Sequence, residues 1–287
     1  MKIDEACIAC IVNQSVKVAD AINADAKLRN SLISTTEKMS KSFSYDDTPP
    51  EIASYIYEKM ALLADKKDLY DEIKTLSTQK ALSFIPLLKK RLLNSDDKLL
   101  TATKIAVAGN VIDLAAEVAF DLAEELEKIF ETEFAHDDFL KMKRELSNAK
   151  SVVILGDNVG EHIFDYLFIE TLKELYPNAS YSYVVRGTPI INDVTIKEAE
   201  EAGFDTLCNL VDSGVNTPGF AYSRATPEAK ELFDTADIVI SKGMGNYESL
   251  SDSHKNNIYF LLKVKCGVVA GSLEKEIGDI ICKLKEF

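Results

Sequence analysis

From residue 148 onward, short apolar runs rich in β-branched residues alternate with amphipathic ones, and this alternation most constrains the fold. The apolar runs are "SVVILG", "ASYSYVVRG", "TLCNLVDSG", "DIVISKG" and "IYFLLKVKCG". Between them lie "GEHIFDYLFIETLKELY", "DVTIKEAEEAG", "TPEAKELFDTA" and "NYESLSD". Strand–helix–strand order predicts parallel pairing through right-handed crossovers. The runs are apolar throughout rather than at every second residue, so both sheet faces need a covering of helices. The expectation is an α/β fold, a three-layer α/β/α sandwich with a mostly parallel sheet.

Residues 1–147 follow a different pattern. "DEACIACIVNQSVKVADAI" carries apolar positions at helical spacing. "TPPEIASYIYEKMALLAD" begins with prolines, which suit a first helical turn. "YDEIKTLSTQKALSFIPLLKKRLLN" predicts a helix with a kink or break near Pro86, and a long run after it is interrupted at Gly109-Asn110. The chain therefore divides into an N-terminal all-helical domain, 1–147, and an α/β/α domain, 148–287.

With 46% hydrophobic residues in 287, the chain can build a real core. No apolar run reaches the roughly 18 residues that span a bilayer, and "MKIDEACIAC" has no signal-peptide pattern, which predicts no membrane partner and a cytoplasmic location. A net charge of −14 argues against nucleic acid, whose binding needs basic patches. Five Cys form no disulfide framework, and three scattered His make a His-rich zinc site improbable. Oligomeric state is not predicted.

Ligands of open parallel sheets bind beyond the carboxyl ends of the strands. Here those ends carry Asp157, Asn158 and Glu161; Arg186, Gly187, Asn192 and Asp193; Asp212, Ser213 and Gly214; Lys242, Gly243, Gly245 and Asn246; and Lys265. Singly, Asp193 reads as a helix N-cap, and Asp157-Asn158 equally as a strand-to-helix turn. As a set, the acids, amide and lysines on one edge exceed what capping requires. Carboxylate and amide oxygens are hard donors suited to Mg²⁺ or Mn²⁺. Lys242, Lys265 and Arg186 can neutralise phosphate oxygens, and Gly243 and Gly245 let backbone N–H groups approach an anion. Together these are the parts of phosphoryl transfer. No dinucleotide fingerprint, P-loop or nucleophile elbow is present.

Two features stand apart. Cys7-x-x-Cys10 puts two thiols on one helix face, either as packing or as a redox or metal pair with no second pair to complete it. Gly109-Asn110 is either a kink or a means of pointing Asn110 and Asp113 into the cleft.

The stretches "CIACIVNQ", "AGNVID", "GDNVGE", "RGTPIINDVT", "DSGVNTPG", "SKGMGNYESL" and "KVKCGVVAG", in this order, resemble the damage-control phosphatases with the ARMT-like metal-binding domain. The likeness covers nearly the whole chain and is greatest to the microbial subfamily with an N-terminal CxxC. It implies a divalent-metal-dependent phosphatase acting on small phosphorylated metabolites such as sugar phosphates, with Mg²⁺, Mn²⁺, Co²⁺ or Ni²⁺ as cofactor. It also implies metal ligands at Asp157, Asn158 and Asp193. Glu161, the segment Lys242 with Gly243 to Glu248, and Lys265 then lie at the substrate. The resulting expectation has Asp157, Asp193 and Lys242 as catalytic residues. Glu161, Arg186, Asp212, Ser213, Gly243, Gly245, Asn246, Lys265 and Asn110 join Lys242 as substrate contacts. Rival readings are a non-catalytic phosphometabolite-binding protein, a carboxyl methyltransferase, and a redox protein built on Cys7 and Cys10.

Overall fold

The structure is a computed structural model, described over residues 1–111 and 119–285, with the side chains at 110–111, 119–123 and 125 outside that description. Helices α1 (Glu5–Ala21), α2 (Ala26–Ser40), α3 (Pro49–Ala64), α4 (Asp71–Leu93), α5 (Lys98–Val111) and α6 (Ala119–Glu131) come first. Strand β1 (His136–Asp137) and α7 (Phe139–Leu146) follow. Then β2 (Ser151–Leu155), α8 (Glu161–Leu175), β3 (Ser180–Val185), α9 (Ile196–Glu201), α10 (Phe204–Leu207) and β4 (Asn209–Asp212) alternate. The chain continues through α11 (Pro227–Thr235), β5 (Ile238–Lys242), α12 (Gly243–Leu250), β6 (Ile258–Lys263), α13 (Gly267–Leu273) and β7 (Ile280–Leu284).

The strands form one sheet in the order β1-β7-β6-β5-β2-β3-β4. Strands β2 to β6 are parallel, as their alternation with helices predicts. Strand β7 runs antiparallel to β6, and β1 runs parallel to β7, so two reversed strands close one edge. Neither was expected from the sequence: β1 is two residues long, and β7 runs against β6, which strand–helix alternation does not announce.

Alternate residues of each strand point to opposite faces. Val152 and Ile154 of β2, Ile238 and Ile240 of β5, and Tyr259 and Leu261 of β6 pack with α4 to α8. Val153, Leu155, Val239, Phe260 and Leu262 pack with α11, α12 and α13. This is the three-layer α/β/α sandwich. Helices α1 to α3 bury a separate core of Ile11, Val18, Leu32, Ile56 and Met60, which Ile190 joins from the loop after β3.

Local signals explain the helices that shape the cleft. Asp4 caps α1 through Ala6 N–H. Thr48 and Glu51 make a capping box on α3, with Pro49 and Pro50 in its first turn, where a missing N–H costs nothing. Of the kink or break expected near Pro86, the break does not occur, for α4 continues through it. Pro86 is exposed, so the carbonyl one turn earlier faces water. Gly109 marks a close approach: a Cβ there would stand 2.9 Å from Glu161 Cβ, so α5 lies directly against the start of α8. Asn110 has its backbone in α5 but its side chain outside the description, and Asp113 lies outside the described residues altogether. Among the described residues no helix is long and apolar enough to cross a membrane.

Candidate active site at the carboxyl edge of the sheet

Strand β2 lies between β3 and β5, where the order of connections reverses and an open α/β sheet leaves a crevice. Asp157 and Asn158 leave β2 into that crevice. The loop after β3 folds back along them: Val194 N–H donates to Asp157 O (2.9 Å), Val159 N–H donates to Asn192 O (2.8 Å), and Asn158 and Asp193 form an antiparallel bridge. Backbone pairing therefore brings Asp193 beside Asn158. The return is a turn in which Asp193 N–H donates to Ile190 O (3.0 Å) and Ile191 sits at φ +47°, strained for a β-branched residue.

Asp193 does not serve as the N-cap of α9. The cap of α9 is Thr195, boxed with Glu198, whose Oε2 accepts from Thr195 N–H (2.9 Å), and Asp193 stays in the cleft. Residue Gly160, at φ +93°, occupies the N-cap position of α8, and its N–H donates to His162 Nδ1 (2.9 Å). Asp157 and Asn158 form the strand-to-helix turn between β2 and α8, where Asn158 O accepts from His162 N–H (3.2 Å).

The polar groups are tightly linked. Asn158 Nδ2 donates to Asp157 Oδ2 (3.0 Å) and to Glu161 Oε1 (2.9 Å). Arg186 is buried, donates from Nε to Asp193 Oδ2 (2.8 Å) and holds Nη2 3.9 Å from Asp157 Oδ1. Arg186 Nη2 itself is buried with no hydrogen-bond partner among the described residues. Burial, reinforced by the negative charge of Asp157, pushes Glu161 up to about 7. Burial pushes Asp193 to about 7 against the pull of Arg186, and Glu248 to about 7 as well.

Asp157, Asn158, Asp193, Gly245 and Lys265 line one cleft of about 770 Å³. Its opposite wall comes from α1 and α3, through Cys7, Cys10, Ile11, Gln14, Pro50 and Tyr57. Gly243 packs against Asp157: at φ +76°, a Cβ on it would stand 1.9 Å from Asp157 Oδ2. This sets the N-terminus of α12 against Asp157.

Other expected contacts do not line this cleft: Lys242, Asn246 and Ser213 are buried, and Asp212 is exposed away from it. Lys242 is wholly buried; its Nζ donates to Asp165 Oδ1 and to Ala106 O (2.7 Å), and Tyr183 Oη donates to Asp165 Oδ2 (3.0 Å). Asn246 is buried with its amide spent on Gly156 O (3.0 Å), Lys242 O (2.6 Å) and Phe220 N–H (2.7 Å). Ser213 donates to Val185 O (2.5 Å), and Asp212 accepts from Gly214 N–H (2.7 Å). Sequence reasoning overlooked Asp165, although its place four residues after Glu161 on α8 puts both on one face. It also overlooked Gln14, Tyr57 and Ile191, which reach the cleft only through packing of the N-terminal helices and carry no motif.

The donors suit a hard divalent cation. Two carboxylates and an amide converge, and because the Asn158 nitrogen is used on Asp157 and Glu161, its carbonyl oxygen is the atom left for a cation. Among the described residues no group of three or more His, Cys, Asp or Glu could hold a metal ion.

An α/β/α sandwich with an acid–amide cluster at its switch point, roofed by helices, defines the class. The whole-chain comparisons narrow it. The family model for the damage-control phosphatase ARMT1-like domain matches residues 3–281, and the chain belongs to that family. It is 32% identical to damage-control phosphatase PH1575 of Pyrococcus horikoshii, over 100% of this chain and 99% of that protein. It is 31% identical to a damage-control phosphatase of Archaeoglobus fulgidus, with 100% of both covered. The crystal structure of a DUF89 family protein from Pyrococcus horikoshii superposes with a TM-score of 0.93 at 30% identity, covering 100% of each chain.

Proposed function

We propose that this chain is a divalent-metal-dependent phosphatase that hydrolyses phosphate monoesters of small metabolites, sugar phosphates among them, in metabolite damage control. The carrying observation is the convergence of Asp157, Asn158 and Asp193 beside the N-terminus of α12, at the open edge of a roofed cleft. Family membership supports the reaction class. Asp157, Asn158 and Asp193 would hold Mg²⁺, Mn²⁺, Co²⁺ or Ni²⁺. Such an ion, when bound, neutralises phosphoryl charge and polarises a phosphoryl oxygen.

The protein's own groups do the rest. Exposed Lys265 and the first N–H groups of α12 receive phosphoryl oxygens, since a helix N-terminus favours an anion. Arg186 holds Asp193 in place, and Lys242 with Asp165 anchors the α8–β5 junction beneath the site. Glu161 or Asp193 orients the attacking water; alternatively Asp157 itself attacks phosphorus, and single-turnover reaction in ¹⁸O-water decides, label in an aspartate marking the covalent route. We carry the cytoplasmic location and the division near residue 147 as part of this proposal. The test is a screen of phosphomonoesters against the four metals. Turnover of none, by protein with an intact fold, would overturn the reading.

A further inference from the structure

The proposed hydrolysis makes no use of sulfur, yet three of the five cysteines line the cleft opposite or beside the acid–amide cluster: Cys7, Cys10 and Cys266. Cys7 and Cys10 are one helical turn apart on α1. Cys10 is exposed, whereas Cys7 is buried in the core of α1 to α3. Cys10 is also tied to the cleft wall. Gln14 Nε2 contacts Cys10 Sγ (3.9 Å), and Gln14 Oε1 accepts from Tyr57 Oη (3.2 Å). The line Cys10–Gln14–Tyr57 thus crosses the wall facing Asp157 and Asp193.

We propose that Cys10 and Cys7 form a thiol-modification site for low-molecular-weight disulfides, at which a bridge between them reshapes the cleft. The sulfur of Cys10, as thiolate, attacks one sulfur of the small disulfide. A mixed disulfide forms, and one small thiol leaves carrying a proton. Cys7, losing its proton, then attacks Cys10 Sγ. The Cys7–Cys10 bond forms as the second small thiol leaves. Two protein thiols are oxidised and one small disulfide is reduced to two thiols, so the reaction balances.

The order of attack follows exposure. Burial pushes the Cys7 thiol up, so the accessible Cys10 reacts first and Cys7 resolves. Geometry supplies the consequence. Helix positions three apart hold their Cβ atoms about 5–6 Å apart, whereas a disulfide needs about 3.5–4.5 Å. The bridge must tighten the first turns of α1, moving Ile11 and Gln14, which line the cleft one turn further on.

The test treats the full-length chain with oxidised glutathione. Both thiols lie between Lys2 and Lys17, so one tryptic peptide carries the bridge. That peptide should lose two hydrogens, and kcat/KM for a turned-over phosphomonoester should fall by about tenfold, since displacement of a cleft wall by about 1 Å can cost up to ~100-fold. Dithiothreitol should restore both. Cys10→Ser should abolish the response, Cys7→Ala should leave glutathione on Cys10, and Cys208→Ser should respond like the parent chain. A persistent glutathione adduct on Cys10 of the parent chain, a cross-link to the Cys266 peptide, or a bridged protein with unchanged kcat/KM would each overturn the inference. If no phosphomonoester is turned over, the peptide map still stands by itself, and a bridge that leaves Mn²⁺-dependent melting unchanged overturns the claim on the cleft.

Discussion

Gly243 sits so close to Asp157 that any Cβ at position 243 would stand 1.9 Å from Asp157 Oδ2. The contact joins the ends of β2 and β5 across the crevice, and the positive φ of +76° adds a second reason for glycine. Gly243→Ala should therefore displace the Asp157 carboxylate and strain the backbone by about 1–2 kcal/mol. We expect kcat/KM to fall ~100-fold or more with only a modest drop in melting temperature. Wild-type kinetics would remove Asp157 from the reaction.

Asp193 and Arg186 should separate stability from activity. Asp193→Ala removes the hydrogen-bonded partner of the buried Arg186 and leaves it the Asp157 carboxylate at 3.9 Å, a loss of up to about 3–5 kcal/mol for buried pairs. Hydrolysis should disappear as well. The double variant Asp193→Leu with Arg186→Met should regain much of the stability while staying inactive. Thermal melts and rates on the three variants check this; recovery of activity in the double variant would refute the role of Asp193.

Lys242 and Lys265 should behave differently, although both end strands of the same edge. Lys242→Met strands Asp165, which burial already pushes up, so its main effect should be on stability, about 3 kcal/mol or more. Lys265→Ala should leave the melting temperature within a degree or so of wild type, since exposed charges contribute about 0–1 kcal/mol, and should raise KM about tenfold through a lost charge-assisted contact. Denaturant titration and steady-state kinetics on both variants provide the comparison.

Exhaustive chelation should abolish hydrolysis, and Mn²⁺ or Mg²⁺ should restore it. The same ion should raise the melting temperature, because a ligand at 100 times its Kd stabilises the folded chain by about 2.7 kcal/mol. Asp157→Asn should lose most of that shift. Undiminished turnover after chelation would dismiss the metal.

The parallel sheet and its helices were legible because short apolar runs alternate with amphipathic segments and end at polar residues or glycines. Asp157 and Asn158 follow β2 directly, where chain direction delivers side chains to the carboxyl edge, whereas Asp193 lies well past β3 and reaches Asn158 by backbone pairing of the returning loop, which the sequence does not announce. Burial was not legible. Lys242 and Asn246 stand at the same edge in sequence, yet one turns inward to Asp165 and the other holds backbone groups. Strands β1 and β7 escaped because reversed edge strands obey no alternation rule. The roof of the cleft escaped because Gln14, Tyr57 and Ile191 owe their places to packing between α1, α3 and the loop after β3.

Strand β1 finds its partner only in β7: Ala135 N–H donates to Ile280 O and Asp138 N–H to Cys282 O. Those partners are translated nearly half the chain later. On the ribosome, β2 to β5 can pair as each emerges, while β1 and the apolar Phe134 and Phe139 beside it wait for the last strand. This edge is where a stalled or truncated nascent chain would expose sticky surface, and where a holding chaperone would find it.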